Sequence, residues 1–129
     1  MGEIVFLGIE EILDIHLDQI ERYGGSPETR DVDALRSALA VPQATFDNCY
    51  LHEDIYAMAS AYLYHITQNH PFVDGNKRTG AVASLIFLAL NGIELDATES
   101  DFEHLVWEVA KGKADKRAIA NFFRQHSDK

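Results

Sequence analysis

Apolar residues recur at helical spacing along most of this chain, with breaks at glycine, proline and polar pairs. The first periodic stretch runs from Ile9 to Tyr23 and ends at two glycines followed by a Ser-Pro pair, which are stop signals for a helix. A second helix is predicted from Asp31, a suitable N-cap residue, to about Ala40. A third is predicted over residues 53–69, where apolar side chains form one stripe.

The fourth predicted helix differs from these three because its apolar residues do not keep to one face. It opens at Asp74 or Gly75 and continues to about Leu90, and residues 81–90 are apolar nearly all round. Such a helix belongs in the interior of a domain. The run is about half as long as a bilayer requires, so we expect no membrane span. Two further helices are predicted, one ending near Gly112 and one containing Phe122 and Phe123.

Strand signals are few in this sequence. Residues 4–7 predict a short strand or an extended lead-in, and Asp47-Asn48 predicts the turn of a small hairpin or flap within residues 42–52. The fold class is therefore predicted as all-α, a bundle of about six helices around a buried central helix. A chain of 129 residues suits one domain, which we expect to cover residues 1–129.

Charge and cysteine content narrow the possible functions. The formal net charge is −10, and no basic stripe is present, so we expect no direct nucleic-acid partner. The single cysteine, Cys49, excludes a disulfide framework and is typical of a reducing compartment. The first residues lack the basic region of a signal peptide. We therefore expect a cytoplasmic protein.

Candidate chemistry is concentrated in residues 70–80, His-Pro-Phe-Val-Asp-Gly-Asn-Lys-Arg-Thr-Gly, immediately before the apolar helix. His70 is suited to accept a proton from an attacking hydroxyl, because an imidazole titrates near neutral pH. Asp74 can supply one ligand to Mg²⁺, with phosphate and water as the others. Free N–H groups and the dipole at the helix start favour anions, so the segment predicts a phosphate-handling site.

The residues that follow Asp74 would line such a site. Gly75 allows the backbone to approach a phosphate, and Asn76 offers an amide donor. Lys77 and Arg78 supply positive charge for a polyphosphate, the arginine through a planar fork. Two cations at a helix N-terminus oppose the helix dipole, which suggests that a bound anion offsets them.

Each of these residues also has a purely structural interpretation. Asp74-Gly75 is an ordinary turn with an N-cap, Phe72 is a core anchor, and Lys77 and Arg78 could be a solvated first turn. His16 lies on an apolar helical face and is interpreted as a core histidine with a hydrogen-bond partner. The remaining histidines show no zinc-ligand spacing, so no zinc site is predicted. Only the combination of residues favours a site.

Residues 70–79 resemble the signature of the Fic/Doc family, His-Pro-Phe-x-Asp/Glu-Gly-Asn-Gly/Lys-Arg. Tyr23-Gly24-Gly25 and Arg30-Asp31 also look like the death-on-curing (Doc) branch, and the resemblance covers nearly the whole chain. It implies a Fic-type helical fold that moves part of a nucleotide onto a protein hydroxyl. It further implies that His70 is the general base, that Asp74 binds Mg²⁺, and that residues 75–78 cradle the phosphates of ATP.

Two positions bear on which part of the nucleotide is moved. Members that transfer AMP have glycine where Lys77 stands and a second arginine where Ala81 stands. The resemblance to the Doc branch implies transfer of the γ-phosphate to elongation factor Tu, which arrests translation. Pro71 and Gly75, however, follow the AMP-transferring pattern. AMP transfer therefore stays open as an alternative, as does a non-catalytic binding module of the same fold.

Regulation is also implied by the resemblance. The chain lacks the inhibitory Ser/Thr-x-x-x-Glu-Gly/Asn sequence of many AMP-transferring members. A separate, Phd-like antitoxin is therefore expected to restrain the protein, by inserting a helix beside the site. Family members also use a flap, equivalent to residues 42–52, to align the target segment.

Overall fold

The computed structural model describes residues 3–128 and has the predicted all-α architecture. Within this described range, six helices follow one another: α1 (Ile9–Tyr23), α2 (Val32–Ala40), α3 (Ile55–Asn69), α4 (Asn76–Leu90), α5 (Glu99–Ala110) and α6 (Lys116–Gln125). Four two-residue strands accompany them: β1 (Thr45–Phe46), β2 (Cys49–Tyr50), β3 (Glu94–Leu95) and β4 (Ser127–Asp128). The helical order is the one that the apolar pattern predicts.

Local capping explains where the helices begin. The Asp31 carboxylate accepts a hydrogen bond from the Ala34 N–H at 3.0 Å, as the sequence predicts for the start of α2. Helix α3 begins two residues later than predicted because the Asp54 side chain caps it through the Ala57 N–H at 2.8 Å. Helix α4 begins at Asn76, because Gly75 takes the left-handed conformation that precedes its first turn.

The centre of the bundle is formed by α3 and α4 together. Helix α3 packs against α2, α4, α5 and α6, and α4 packs against α1, α3 and α5. Gly80 brings the two central helices close, since a Cβ atom there would lie 3.1 Å from the Leu63 carbonyl oxygen and from the Thr67 hydroxyl. The end of α3 and the start of α4 therefore meet at one end of the bundle, joined by residues 70–75.

The predicted hairpin is present as an antiparallel pair of β1 and β2. Asp47 and Asn48 form its turn, both with positive φ (55° and 67°), which is the backbone of a type I′ turn. Both strands are exposed, and Phe46 projects with 74% of its surface accessible. Cys49 lies in β2 as a free, exposed thiol.

Residues 4–7 form no strand and follow the second of the two predicted alternatives, an extended lead-in, with the Leu7 N–H donating to the Tyr62 hydroxyl at 2.9 Å. The antiparallel pair of β3 and β4 was not expected. Two-residue strands are too short for an alternating apolar pattern, so the sequence gives no signal for them. Within residues 3–128, no helix has both the length and the apolarity needed to cross a bilayer.

A cluster of basic groups lies between α3, α6 and the segment that leads into α3. The Nε2 atom of His52 lies 3.2 Å from the Lys116 ammonium. Burial, and then the charges of Lys116 and His52, lower the pKa of His65 to about 4. Burial likewise lowers the pKa values of His52 and Lys116. The folded protein therefore holds His65 neutral at pH values where an unfolded chain would protonate it.

Acid should destabilise the fold through His65. As pH falls from about 6.5 toward 4, the unfolded chain takes up a proton at this residue and the folded chain does not, so the free energy of unfolding decreases. Because His65 is only half-buried and solvent screens part of the effect, we expect a loss on the order of 1–2 kcal/mol. Urea unfolding at pH 7 and pH 5 measures it.

The matched comparison uses two histidine substitutions. His65→Gln should reduce the dependence of the unfolding free energy on pH, whereas His104→Gln, at an exposed position on α5 where the ring lies 3.9 Å from Glu108, should change it much less. Equal pH dependence in the wild type and His65→Gln would contradict the assignment.

Candidate active site

The segment that joins α3 to α4 has a left-handed residue at each end. His70 has φ 50° and ψ 55°, and Gly75 has φ 84° and ψ 15°. Glycine adopts this conformation without strain, but a histidine pays about 1–2 kcal/mol for it. The turn at His70 leads into the buried Pro71 and Phe72. The imidazole itself is exposed, at the edge of a cavity.

Asn76 closes this loop onto itself. Its Oδ1 atom accepts a hydrogen bond from the Phe72 N–H at 2.9 Å, and its Nδ2 atom donates to the Phe72 carbonyl at 2.8 Å. Both groups of Phe72 are buried, so the side chain of Asn76 replaces the backbone partners that a loop lacks. The amide predicted to face a phosphate is thus directed into the loop, and the Asn76 backbone N–H is the group left at the helix start.

The same amide determines the tautomer of the neutral His70 ring. Asn76 Nδ2 lies 3.3 Å from His70 Nδ1, and its two bonds with Phe72 fix the amide orientation, so it faces the ring as a donor. Nδ1 then accepts, and the neutral ring carries its proton on Nε2. For Nε2 to take a proton from a hydroxyl, the ring proton must lie on Nδ1. Action as a base therefore requires the ring to give up this contact with Asn76.

Asp74 is held from two sides. Its Oδ2 atom accepts a hydrogen bond from the Ser26 N–H at 2.7 Å. Its backbone carbonyl lies 2.8 Å from His16 Nε2, which must donate because a carbonyl can only accept. The His16 ring is fully buried and stacks on Phe72, with 3.7 Å between ring centroids and 7° between planes. The core role expected for His16 is confirmed.

His16 nevertheless has a second role, which the sequence pattern does not reveal. It connects α1 to the loop that carries Asp74, so it sets the position of a predicted site residue. The sequence signal was the placement of a polar ring on an otherwise apolar helical face. That signal indicates a buried hydrogen bond but does not identify its partner.

The N-terminus of α4 is unlike the other helix starts within residues 3–128. Side chains cap α2, α3, α5 and α6, and in α1 the Glu11 carboxylate accepts from the Gly8 N–H. Helix α4 has no side-chain cap, and its first turn carries Lys77 and Arg78 where acidic residues are favoured. Its N–H groups and two cations form a concentration of positive charge that suits an anion.

Lys77 and Arg78 separate two cavities. One, of about 270 Å³, is polar and contains His70, Asp74 and Gly75. The other, of about 330 Å³, lies between α1, α4 and α5 and is lined largely by apolar and aromatic side chains, including Ala81, Phe102 and Val106.

Aromatic rings hold both cations at this boundary. Lys77 Nζ lies 4.0 Å from the centroid of the Trp107 ring, and the Arg78 guanidinium carbon lies 4.9 Å from that of Tyr23. Neither cation forms a salt bridge among the residues that the structure describes. One guanidinium nitrogen, Arg78 Nη1, is buried and has no hydrogen-bond partner there. A buried cationic donor without an acceptor is costly, and an anion such as phosphate would satisfy it.

The donor set also limits the kind of metal site. In the described part of the chain, no three histidine, cysteine or acidic side chains are grouped as metal ligands. Asp74 stands as a lone carboxylate beside the cationic cradle. This arrangement fits a Mg²⁺ ion that receives its other ligands from phosphate and water, and it does not fit a protein-bound zinc site.

Comparison with known proteins agrees with the predicted fold and motif. Residues 6–88 match the family model described as Fic/DOC family, a range that extends from before α1 into α4. The chain is 39% identical over 103 residues to Toxin Doc of Mycolicibacterium smegmatis, covering 76% of this chain and 77% of that protein. It is 29% identical over 117 residues to Protein kinase doc of Escherichia phage P1, covering 90% of each.

Removal of the Asn76 side chain should destabilise the protein more than removal of an exposed asparagine. Asn76→Ala leaves the buried N–H and carbonyl of Phe72 without partners, and we expect a loss of about 2–4 kcal/mol in the free energy of unfolding. Asn121→Ala, at an exposed position on α6, is the matched control and should change it by less than about 1 kcal/mol. Similar losses in the two variants, measured by urea unfolding, would contradict the role given to Asn76.

Proposed function

The chain belongs to the Fic/Doc family, and on this premise we propose that it is the toxin of a toxin–antitoxin pair and a phosphotransferase. It would transfer phosphate from Mg-ATP to a hydroxyl of a protein target. The observation that carries the proposal is the uncapped start of α4, where Lys77 and Arg78 lie between His70 and an apolar cavity. Similarity to Toxin Doc and to Protein kinase doc supports the toxin and kinase assignments.

The proposed reaction is an in-line displacement. The target hydroxyl oxygen forms a bond to the γ-phosphorus, the bond from that phosphorus to the bridging oxygen breaks, and ADP leaves. His70, reoriented away from Asn76, receives the hydroxyl proton. The first turn of α4 and the side chains of Lys77 and Arg78 hold the phosphates. Asp74 would hold Mg²⁺, which when bound neutralises charge on the phosphate oxygens.

The two cavities favour transfer of the terminal phosphate. Arg78 borders the apolar cavity, but position 81, which also lines it, is alanine, so no second arginine is present there to hold a distal phosphate. A cavity of about 330 Å³ between Tyr23 and Trp107 is the better environment for an adenosine. With the nucleoside on that side of Lys77 and Arg78, the phosphate tail extends toward His70, and its terminal phosphate is the group nearest the base.

The exposed hairpin supports a protein as the acceptor. Among residues 3–128, strands β1 and β2 pair only with each other, so an outer edge is open there to pair with an extended segment. Phe46 and Tyr50 offer apolar surface on the same hairpin. We propose elongation factor Tu as the target, on the family resemblance.

The proposed antitoxin acts in trans and would cover the apolar cavity. Tyr23 and Trp107 are exposed at its rim, with 63% and 49% of their surfaces accessible. Their rings also hold Arg78 and Lys77. A helix from a Phd-like antitoxin that docks on these rings would exclude the nucleotide and restrain the cations at the same time.

Labelled ATP tests the reaction directly. Purified protein with Mg²⁺ and elongation factor Tu should transfer label from γ-labelled ATP and none from α-labelled ATP. His70→Ala should reduce transfer by at least about 100-fold, because it removes the base. His104→Ala, at an exposed position on α5, is the matched control and should retain full transfer. Transfer of the α-label would support AMP transfer instead, and transfer unaffected by His70→Ala would contradict the catalytic role.

A paired substitution tests why phosphate is the group that moves. Lys77→Gly with Ala81→Arg removes the cation nearest the loop and places a guanidinium at the apolar cavity. This change should favour the opposite orientation of the nucleotide, in which the α-phosphate lies nearest His70. Label from α-labelled ATP should then begin to appear on the target while γ-label transfer falls. Unchanged γ-transfer in the double variant would show that these positions do not set the nucleotide orientation.

A further inference from the structure

The left-handed backbone of His70 needs support from outside its own loop. Helix α3 ends at Asn69, and the last carbonyls of a helix have no intrahelical partners. A glycine usually occupies the left-handed position after a helix, because a side chain there is strained. Here the strained residue is the proposed base.

Arg30 supplies that support from a distant part of the chain. Its Nε atom donates to the His70 carbonyl at 2.7 Å, and its Nη2 atom donates to the Asn69 carbonyl at 3.1 Å. The backbone N–H groups of Arg30 and Asp31 both donate to the Pro71 carbonyl, at 2.7 and 2.9 Å. Three successive carbonyls around the turn thus accept hydrogen bonds from two neighbouring residues.

The rest of the segment 26–31 extends this contact along the loop. Thr29 forms a β-bridge with Phe72, and the Val73 N–H donates to the Glu28 carbonyl at 3.1 Å. The Ser26 N–H holds the Asp74 carboxylate. Residues 26–31 therefore form a strap along the whole loop, and Arg30 is the member whose side chain acts on the base.

We propose that Arg30 is a positioning residue for His70. Its two donors fix the carbonyl groups of Asn69 and His70, on both sides of the left-handed residue. These hydrogen bonds set the direction in which the imidazole projects from the backbone. The positive charge also lies at the C-terminal end of α3, where a cation is favoured. Arg30 lines neither of the two cavities at Lys77 and Arg78, so its proposed role requires no contact with the nucleotide. The catalytic part of this inference rests on the proposed phosphotransfer.

The test compares Arg30→Ala and Arg30→Lys with Arg36→Ala, an exposed arginine on the neighbouring helix α2. Arg30→Ala should lower kcat by at least about 10-fold and change KM for ATP by less than about 2-fold, since the lost contact orients the base and leaves binding intact. Arg30→Lys should recover part of kcat, because an ammonium keeps the charge but lacks the planar fork. Arg36→Ala should behave as the wild type.

A second readout does not depend on activity. In NMR spectra of the free protein, the imidazole signals of His70, assigned by comparison with His70→Gln, should shift or broaden in Arg30→Ala and stay in place in Arg36→Ala. If neither the wild type nor any variant transfers phosphate but the His70 signals respond in this way, the proposed reaction fails and the positioning role stands. Unmoved His70 signals in a folded Arg30→Ala protein, or a raised KM with unchanged kcat, would overturn the positioning role.

Discussion

The first turn of α4 is the constraint around which the rest of this molecule is arranged. Two cations stand where the helix dipole disfavours them, the helix has no side-chain cap, and one buried guanidinium nitrogen has no acceptor within residues 3–128. A folded protein tolerates such an arrangement when a ligand supplies the missing negative charge. The aromatic partners of Lys77 and Arg78 offset part of the cost in the free protein and leave both cations available.

The loop before that turn is rigid because different elements hold different parts of it. Asn76 binds Phe72 from α4, His16 binds the Asp74 carbonyl from α1, and the strap of residues 26–31 binds the outer side. The proposed base, His70, and the proposed Mg²⁺ ligand, Asp74, therefore have fixed backbone positions before any ligand arrives, as electrostatic catalysis requires. The proposed proton transfer would require the contact between the His70 ring and Asn76 to change.

Much of this fold could be predicted from the sequence, because helical periodicity and capping residues are local signals. Asp31 and the glycine pair after Tyr23 marked helix boundaries, and Asp47-Asn48 marked the hairpin turn. The strap was not predictable, since Arg30 meets His70 only through contacts forty residues apart. The role of His16 was hidden for the same reason, and Asn76 was expected to face a ligand because sequence alone cannot show that the loop uses its amide.

The most direct measurement of the central claim is a titration of ¹⁵N-labelled protein with Mg-ATP, followed through the backbone amide signals. If the phosphate tail docks at the start of α4, the largest shifts will fall on the amides of residues 75–78, with smaller shifts at Tyr23 and Trp107 around the apolar cavity. Saturable shifts confined to other surfaces, with the amides of residues 75–78 unmoved, would contradict the account.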